Sequence, residues 1–289
     1  MAWMALAQML FAVMGVGARL GGRGVPWQEV GAARFLVGAA TAYAVARVRG
    51  QSLRITRVRD AWLRSGFGTV SACGTFYVYA APGLAIGDAV TVLSTSPIFV
   101  ALMSAPLLGE RLRPASAAAL ALGFAGIAVV AQPSFSTAGH VVAAGAGAAL
   151  ASALAMVWLR RIGPRESSEA IVLHLCSVGF AALLLASIPV WKTPGPRDAA
   201  ALALTGLSGG LAQIAMTRAY SLDHAARVSI MSFSSVVFMR LIAVPVFGEV
   251  PGCTQVVGSL LVIAAGALLG AGPRSSGGSR RRPARAASE

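Results

Sequence analysis

Apolar residues fall into ten long runs along the chain, and charged, Gly or Pro residues separate each run from the next. Each run approaches the roughly 20 apolar residues that a helix needs to cross a bilayer. The pattern therefore predicts an all-α fold with ten transmembrane helices. The predicted helices cover residues 2–18, 29–46, 62–81, 87–108, 114–131, 140–159, 168–190, 199–219, 226–247 and 252–271.

The composition agrees with a polytopic membrane protein. Hydrophobic residues make up 56% of the 289 positions, charged residues only 12%, and the mean hydropathy is +0.73. In a soluble domain about a quarter of the residues are charged, so this composition excludes a water-soluble globular protein. Ten spans use about 200 residues, which leaves no room for a soluble catalytic domain.

The net charge of +14 reports topology rather than nucleic-acid binding. If the N-terminus is cytoplasmic, 17 of the 24 Lys and Arg residues lie inside and four lie outside, and the inside group includes Arg64 at the start of the third helix. Arg34, Arg218 and Arg240 fall within spans. By the positive-inside rule both termini lie in the cytoplasm, and the basic tail 272–289 is expected to be disordered. The excess of Arg over Lys with abundant Ala and Gly favours a GC-rich bacterial genome, so the expected membrane is a bacterial inner membrane.

The chain contains an internal repeat at a shift of 139 to 141 residues. Its clearest stretch sets residues 106–110 (PLLGE) beside 245–249 (PVFGE). The repeat unit holds five helices, an odd number, so the halves 1–133 and 134–271 should cross the membrane in opposite senses. This inverted architecture is typical of secondary transporters, whose substrate site lies near the midplane between the halves.

The same residues resemble a known family. The run 88–133 resembles the fourth and fifth helices of the EamA family in the drug/metabolite transporter superfamily, and 11–50, with the segment 26–29 (PWQE) and Arg34, resembles its first two helices. The resemblance implies ten helices in two inverted halves, a central cavity and alternating access. It also implies a permease for amino acids, other metabolites or drugs.

The second half departs from the first at two positions. Arg240 stands where the first half has Ala101, which bears on chemistry, and Val236 stands where the first half has Pro97. A charge within a span costs about 2.5 to 3.5 kcal/mol on insertion scales. Arg240 lies about 13 Å along the helix from Glu249, too far to snorkel readily. Two interpretations stay open: an anion-binding group in the cavity, or a structural arginine that pairs with a neighbouring helix.

Arg34 and His174 occupy matching positions in the two halves. Arg34 lies about 7.5 Å from the start of its helix, and Glu29 is five residues away, a poor spacing for a pair on one face. Arg34 therefore needs a cross-helix partner or a ligand, and partial snorkelling is the structural alternative. His174 could change charge near neutral pH or serve as a packing residue.

Hydroxyl groups cluster at equivalent places in the fourth and ninth helices, around Ser94, Pro97 and Ser232. Such groups either line a cavity or bond to neighbouring helices and their own carbonyls, and a proline frees one carbonyl. Gln213 on the eighth helix and Tyr77 on the third add polar candidates. The predicted substrate contacts are therefore Arg240, Arg34, Ser94, Pro97, Ser232, Gln213, Tyr77 and His174.

Other chemistries find little support in the sequence. The three cysteines stand alone, without metal-ligand or disulfide spacing, and no phosphate loop or HExxH motif occurs. Neither a metal nor a cofactor is expected, and Glu110 and Glu249 are interpreted as turn and cap residues. The alternatives to a transporter are a membrane-embedded enzyme or a non-transporting membrane sensor.

The expected partners are a small-molecule substrate and the lipid bilayer, and a coupling ion is left unassigned. Gly266 and Gly270 form a GxxxG pattern on the last helix. This pattern is typical either of a homodimer face or of close packing inside the monomer.

Overall fold

The computed structural model describes residues 1–21, 25–81, 86–110, 112–134, 136, 138–247 and 252–271, with some side chains near the ends of these ranges and in 240–247 left out. Every regular element in these ranges is helical. The tail 272–289 lies outside the described residues. The α-helices are α1 (Ala2–Gly21), α2 (Trp27–Val48), α3 (Val58–Ala80), α4 (Ile86–Leu93), α5 (Ser96–Leu108), α6 (Pro114–Ala131), α7 (Gly139–Ile162), α8 (Ser168–Ser187), α9 (Pro196–Leu222), α10 (Ala225–Ile230), α11 (Ser234–Phe247) and α12 (Cys253–Ala271).

Five segments of the described chain are long and apolar enough to cross a membrane. They are Asp88–Leu108, Pro114–Ala131, Gly139–Ile162, Ser168–Val190 and Pro196–Leu222. Shorter apolar helices cover Ala2–Gly17, Ala225–Met239 and Cys253–Leu269. Several apolar helices of this length in one chain identify a multi-pass membrane protein.

The predicted fourth helix is not continuous, contrary to the sequence prediction. It divides into α4 and α5 at Ser94 and Thr95. Pro97 lacks the N–H that would bond to the carbonyl of Leu93, and the Thr95 hydroxyl donates to the carbonyl of Val92 at 2.7 Å. The chain therefore begins a new helix at Ser96, with proline in its first turn.

The predicted ninth helix is also broken, although it has no proline at the break. A 3₁₀ segment, Met231–Phe233, separates α10 from α11. The hydroxyls of Ser229, Ser232 and Ser234 each donate to the carbonyl three residues earlier, at 2.6 to 2.9 Å. Side chains that bond to the local backbone in this way compete with the regular α-helical pattern.

The start of α3 corrects the placement of Arg64. The helix begins at Val58 rather than at residue 62, and Arg64 lies inside it with only 1% of its surface exposed. The beginning of the helix is fixed by Glu166, whose Oε1 accepts hydrogen bonds from the backbone N–H groups of Thr56 and Arg57 at 2.9 and 3.0 Å. Arg64 is therefore a buried residue of the bundle and not a loop residue.

Glycines allow the helices to approach closely. A Cβ on Gly210 of α9 would lie 3.0 Å from the Cα of Gly38 on α2. A Cβ on Gly258 of α12 would lie 2.6 Å from the carbonyl oxygen of Gly126 on α6. Gly206, Gly209 and Gly210, which interrupt the apolar residues of the predicted eighth helix, are thus sites of contact with other helices. The segment Pro196–Leu222 that contains them is the most buried of the five long ones.

The largest helix interfaces pair α1 with α9, α3 with α7, α2 with α8 and α6 with α12. Each of these interfaces joins a helix from the N-terminal half of the chain to one from the C-terminal half. The two halves therefore pack against each other through four large interfaces, and α2 and α8 contact each other and both α3 and α9.

Candidate functional site

Two arginines are enclosed within the helix bundle. Arg34 lies on α2 and is half-buried, and Arg64 lies on α3 and is buried. The Nε atom of Arg64 has no hydrogen-bond partner, and neither arginine forms a salt bridge within the described part of the chain. The Arg34 guanidinium lies 5.0 Å from the centroid of the Phe35 ring. An unpaired charge at this depth is expensive and usually marks a functional position.

Glycine makes room for both guanidinium groups. A Cβ on Gly68, one turn after Arg64, would lie 2.5 Å from Arg64 Nη1, so the arginine side chain runs along α3 towards the middle of that helix. A Cβ on Gly209 of α9 would lie 3.3 Å from Arg34 Nε. The two arginine side chains can take these positions because Gly68 and Gly209 have no side chains of their own.

The groups around the arginines come from both halves of the chain. Cys176 on α8 lies within electrostatic range of Arg34 and Arg64, and Tyr220 on α9 lies within range of Arg64. Arg34 and Arg64 are also within electrostatic range of each other. These neighbours carry no negative charge that would balance two guanidinium groups, so the interior is electropositive.

Unpaired polar atoms occur on the same helices. Thr69 Oγ1 on α3, together with Gln213 Oε1 and Thr217 Oγ1 on α9, is buried without a hydrogen-bond partner, and so is Thr91 Oγ1 on α4. Gln213 follows Gly209 by one turn, on the stretch of α9 that contacts Arg34. Because buried polar groups in proteins are nearly always hydrogen-bonded, these unpaired atoms are exceptions that call for an explanation.

Polar contacts join the two halves at one end of the bundle. We call this end the basic face, and it comprises residues 49–57, 109–110, 112–113, 163–167 and 223–224. Glu110 accepts hydrogen bonds from Arg160 Nε at 2.8 Å and from the N–H of Ala225, the first residue of α10, at 2.7 Å. Glu110 is thus a cap, as predicted, although the helix that it caps belongs to the other half.

Further contacts on the basic face involve Glu166 and Glu169. Arg49 after α2 pairs with Glu169 at 3.3 Å, and Ser167 bonds to the carbonyl of Ser52. Burial raises the pKa of the Glu166 carboxyl, but hydrogen bonds from Thr56 and Arg57 lower it by more. The pKa of this carboxyl therefore lies below its usual value. The loops of the two halves therefore form one connected layer.

Comparison with known proteins identifies the family. The model of the EamA-like transporter family matches residues 1–132 and, a second time, residues 140–271. The chain belongs to the EamA-like transporter family. It is accordingly a membrane transporter and not an enzyme.

Relatives of this EamA-like transporter agree with that assignment. The pseudopaline exporter CntI of Pseudomonas aeruginosa is 27% identical over 90% of this chain and 92% of the exporter. A riboflavin transporter of Rhizobium johnstonii is 27% identical over 91% of this chain and 88% of that protein. A crystal structure with 22% sequence identity matches 92% of this chain and 94% of its own with a TM-score of 0.81, which shows the same fold.

The predicted substrate contacts of the transporter divide into two groups. Arg34 lies against α9 at Gly209, and Gln213 lies one turn later on that helix. Ser94 and Pro97 lie at the break between α4 and α5, and Ser232 lies at the matching break, where its hydroxyl bonds to the Ser229 carbonyl.

Other predicted contacts are engaged elsewhere. Nδ1 of His174 is 2.7 Å from the hydroxyl of Ser65, and its ring meets the edge of Trp62. Tyr77 is 44% exposed. Arg240 belongs to α11, but its side chain lies outside the described residues.

Sequence reasoning missed Arg64. This residue was counted with the loop arginines because it lies only two residues after the predicted start of the third helix. Asp60 was the available signal, since an acidic residue is favoured in the first turn of a helix and would have placed the helix start before residue 62.

Proposed function

We propose that this protein is a ten-helix permease of a bacterial inner membrane that moves a small metabolite with an anionic group by alternating access. In this proposal the halves 1–133 and 134–271 are inverted five-helix repeats. The substrate binds between them, among α2, α3, α8 and α9. Both termini lie in the cytoplasm, on the side of the basic face.

The pairing of the helices supports an inverted repeat. Counting α4 with α5 and α10 with α11 as one span each gives five spans per half. Under this count α1 is equivalent to α7 and α3 to α9, so the α1–α9 interface in one direction corresponds to the α7–α3 interface in the other. The α2–α8 and α6–α12 interfaces each join a helix to its own equivalent in the other half. A pseudo-two-fold axis in the membrane plane gives this pattern of contacts.

The observation that carries the transport mechanism is the pair of broken helices. The breaks at Ser94–Thr95 and at Met231–Phe233 are 139 residues apart when Ser94 is matched with Phe233. Discontinuous helices at corresponding positions of two inverted halves are a recurring feature of secondary transporters, in which one repeat moves against the other. They also give each half a point at which it can bend.

The relatives support a small organic substrate. One is an exporter of pseudopaline and another transports riboflavin, and both match this chain over about nine tenths of its length. The distribution of charge supports the orientation, because 16 of the 24 Lys and Arg residues still fall on the predicted cytoplasmic side after Arg64 is removed from the loop count.

Flux through the purified protein tests the proposal. Liposomes that contain only this protein are loaded with amino acids, dicarboxylates, nucleotides and riboflavin, and the compounds released are measured by mass spectrometry. We expect at least one compound to leave unchanged and faster than from protein-free liposomes. Release at the protein-free rate for every compound contradicts transport, and recovery of a chemically altered compound favours the membrane-enzyme alternative.

A further inference from the structure

We propose that Arg34 and Arg64 together form the substrate site for a group with two negative charges on carboxylate or phosphate oxygens. The inference rests on the proposed function, because it assigns the chemistry of the transported molecule. It also names Arg64, which the sequence placed in a loop, as the second cation of the site.

The first step of the argument is the energetics of two like charges. Arg64 is 1% exposed, its Nε is unpaired, and Arg34 lies within electrostatic range. Two guanidinium groups that repel each other in a medium of low dielectric constant destabilise the empty protein. Such an arrangement becomes favourable only when an anion lies between the cations.

The second step is that the described carboxylates are engaged elsewhere. Glu29 accepts a hydrogen bond from the backbone N–H of Lys192, and Asp88 accepts one from the backbone N–H of Ser134. Glu110, Glu166 and Glu169 bind the partners described for the basic face. Asp60 pairs with Arg57, and Asp223 accepts a hydrogen bond from the backbone N–H of His224. Asp198 lies in the first turn of α9, about 16 Å along that helix from Gly209.

The third step is that the site is built for its occupant. Gly68 and Gly209 leave the space that the two guanidinium groups fill. Gln213 and Thr217 add buried polar atoms without partners on α9. Arginine is suited to this role because its planar fork of N–H donors matches the paired oxygens of a carboxylate or phosphate.

Thermal unfolding of the full-length protein in detergent tests the site. The probes are succinate and inorganic phosphate as dianions, with propionate as the singly charged comparison and sodium chloride at equal ionic strength as the salt control. We expect a saturable rise in Tm with succinate or phosphate and a much smaller one with propionate. A succinate response separates a dicarboxylate substrate from a phosphate one, and equal shifts with chloride overturn the proposal.

Variants locate the binding. Arg34→Gln and Arg64→Gln should each weaken the affinity for the dianion at least tenfold, whereas Arg59→Gln, an exposed position on the same helix as Arg64, should leave it unchanged. Arg64→Lys keeps the charge but not the fork, so we expect intermediate affinity. An unchanged dianion response in Arg64→Gln contradicts the assignment.

The empty protein gives a readout that separates binding from packing. If Arg64 is an unpaired charge that awaits a ligand, Arg64→Met should unfold at the same or a higher temperature than the unsubstituted protein without anion. If Arg64 only supports the fold, Arg64→Met should unfold at a lower temperature, and the proposal is then wrong.

The two proposals fail separately. Release of a neutral or cationic compound in the liposome assay, without any dianion effect on Tm, removes the anion site but leaves transport intact. Binding of a dianion without release of any compound keeps the site and contradicts transport.

Discussion

Glycine decides where the guanidinium groups of Arg34 and Arg64 can lie, and this dependence can be tested one methyl group at a time. In Gly68→Ala the new Cβ would lie 2.5 Å from Arg64 Nη1, so the guanidinium must move. Gly66 lies half a turn earlier on α3, with nothing within 4 Å of its Cβ position. The two substitutions therefore have the same chemistry but different surroundings.

We expect Gly66→Ala to stabilise the protein by up to about 1 kcal/mol, because alanine favours a helix more than glycine does. Gly68→Ala should gain less stability and should lose dianion affinity as Arg64 is displaced. Unfolding curves with and without succinate measure both effects. Equal dianion affinity in the two variants would show that the position of Arg64 is unrelated to binding.

At the scale of helices, glycine-mediated contact sets how closely α6 and α12 approach. A Cβ on Gly258 would lie 2.6 Å from the Gly126 carbonyl oxygen and 2.9 Å from the backbone nitrogen of Val130. Backbone atoms cannot move aside as a flexible side chain does. We expect Gly258→Ala to lower the free energy of unfolding by about 1 to 3 kcal/mol, the range typical of overpacking.

Gly147 on α7 provides the matched control, because nothing lies within 4 Å of its Cβ position. Gly147→Ala should leave stability unchanged or raise it slightly. Reversible unfolding in a mixed-detergent titration gives the comparison. Similar stability of the two variants would mean that α6 and α12 are farther apart in the folded protein.

The helices also show what a sequence can and cannot predict. Apolar runs predicted each of the five long apolar segments that the structure describes, because burial in lipid requires continuous apolar stretches whatever the tertiary contacts. The breaks escaped detection because serine and threonine fit a continuous helix as well as a broken one, and only the first break has a proline. Arg34 and Gln213 were found as polar residues within spans, but Arg64 required the true start of α3.

At the scale of the whole molecule, Glu110 connects α5 of one half to α7 and α10 of the other. Alternating access requires such a connection to open when the basic face opens. Glu110→Ala removes the cap of α10 and leaves Arg160 with only the carbonyls of Tyr220 and Ser221. The substitution should therefore shift the population towards states that are open at the basic face.

Cys176 reports that opening, because it is buried near both arginines and lies about 12 Å along α8 from the basic face. In a background with Cys73→Ser and Cys253→Ser, Glu110→Ala should accelerate the alkylation of Cys176 several-fold when an impermeant maleimide is applied on the basic face. Arg165→Gln, an exposed change on the same face, should leave the rate unchanged. Succinate should slow the reaction in both variants, since a dianion between Arg34 and Arg64 would lie beside the thiol. A rate that Glu110→Ala does not alter would mean that the basic face opens without breaking this contact, and the hinge would then lie at the broken helices alone.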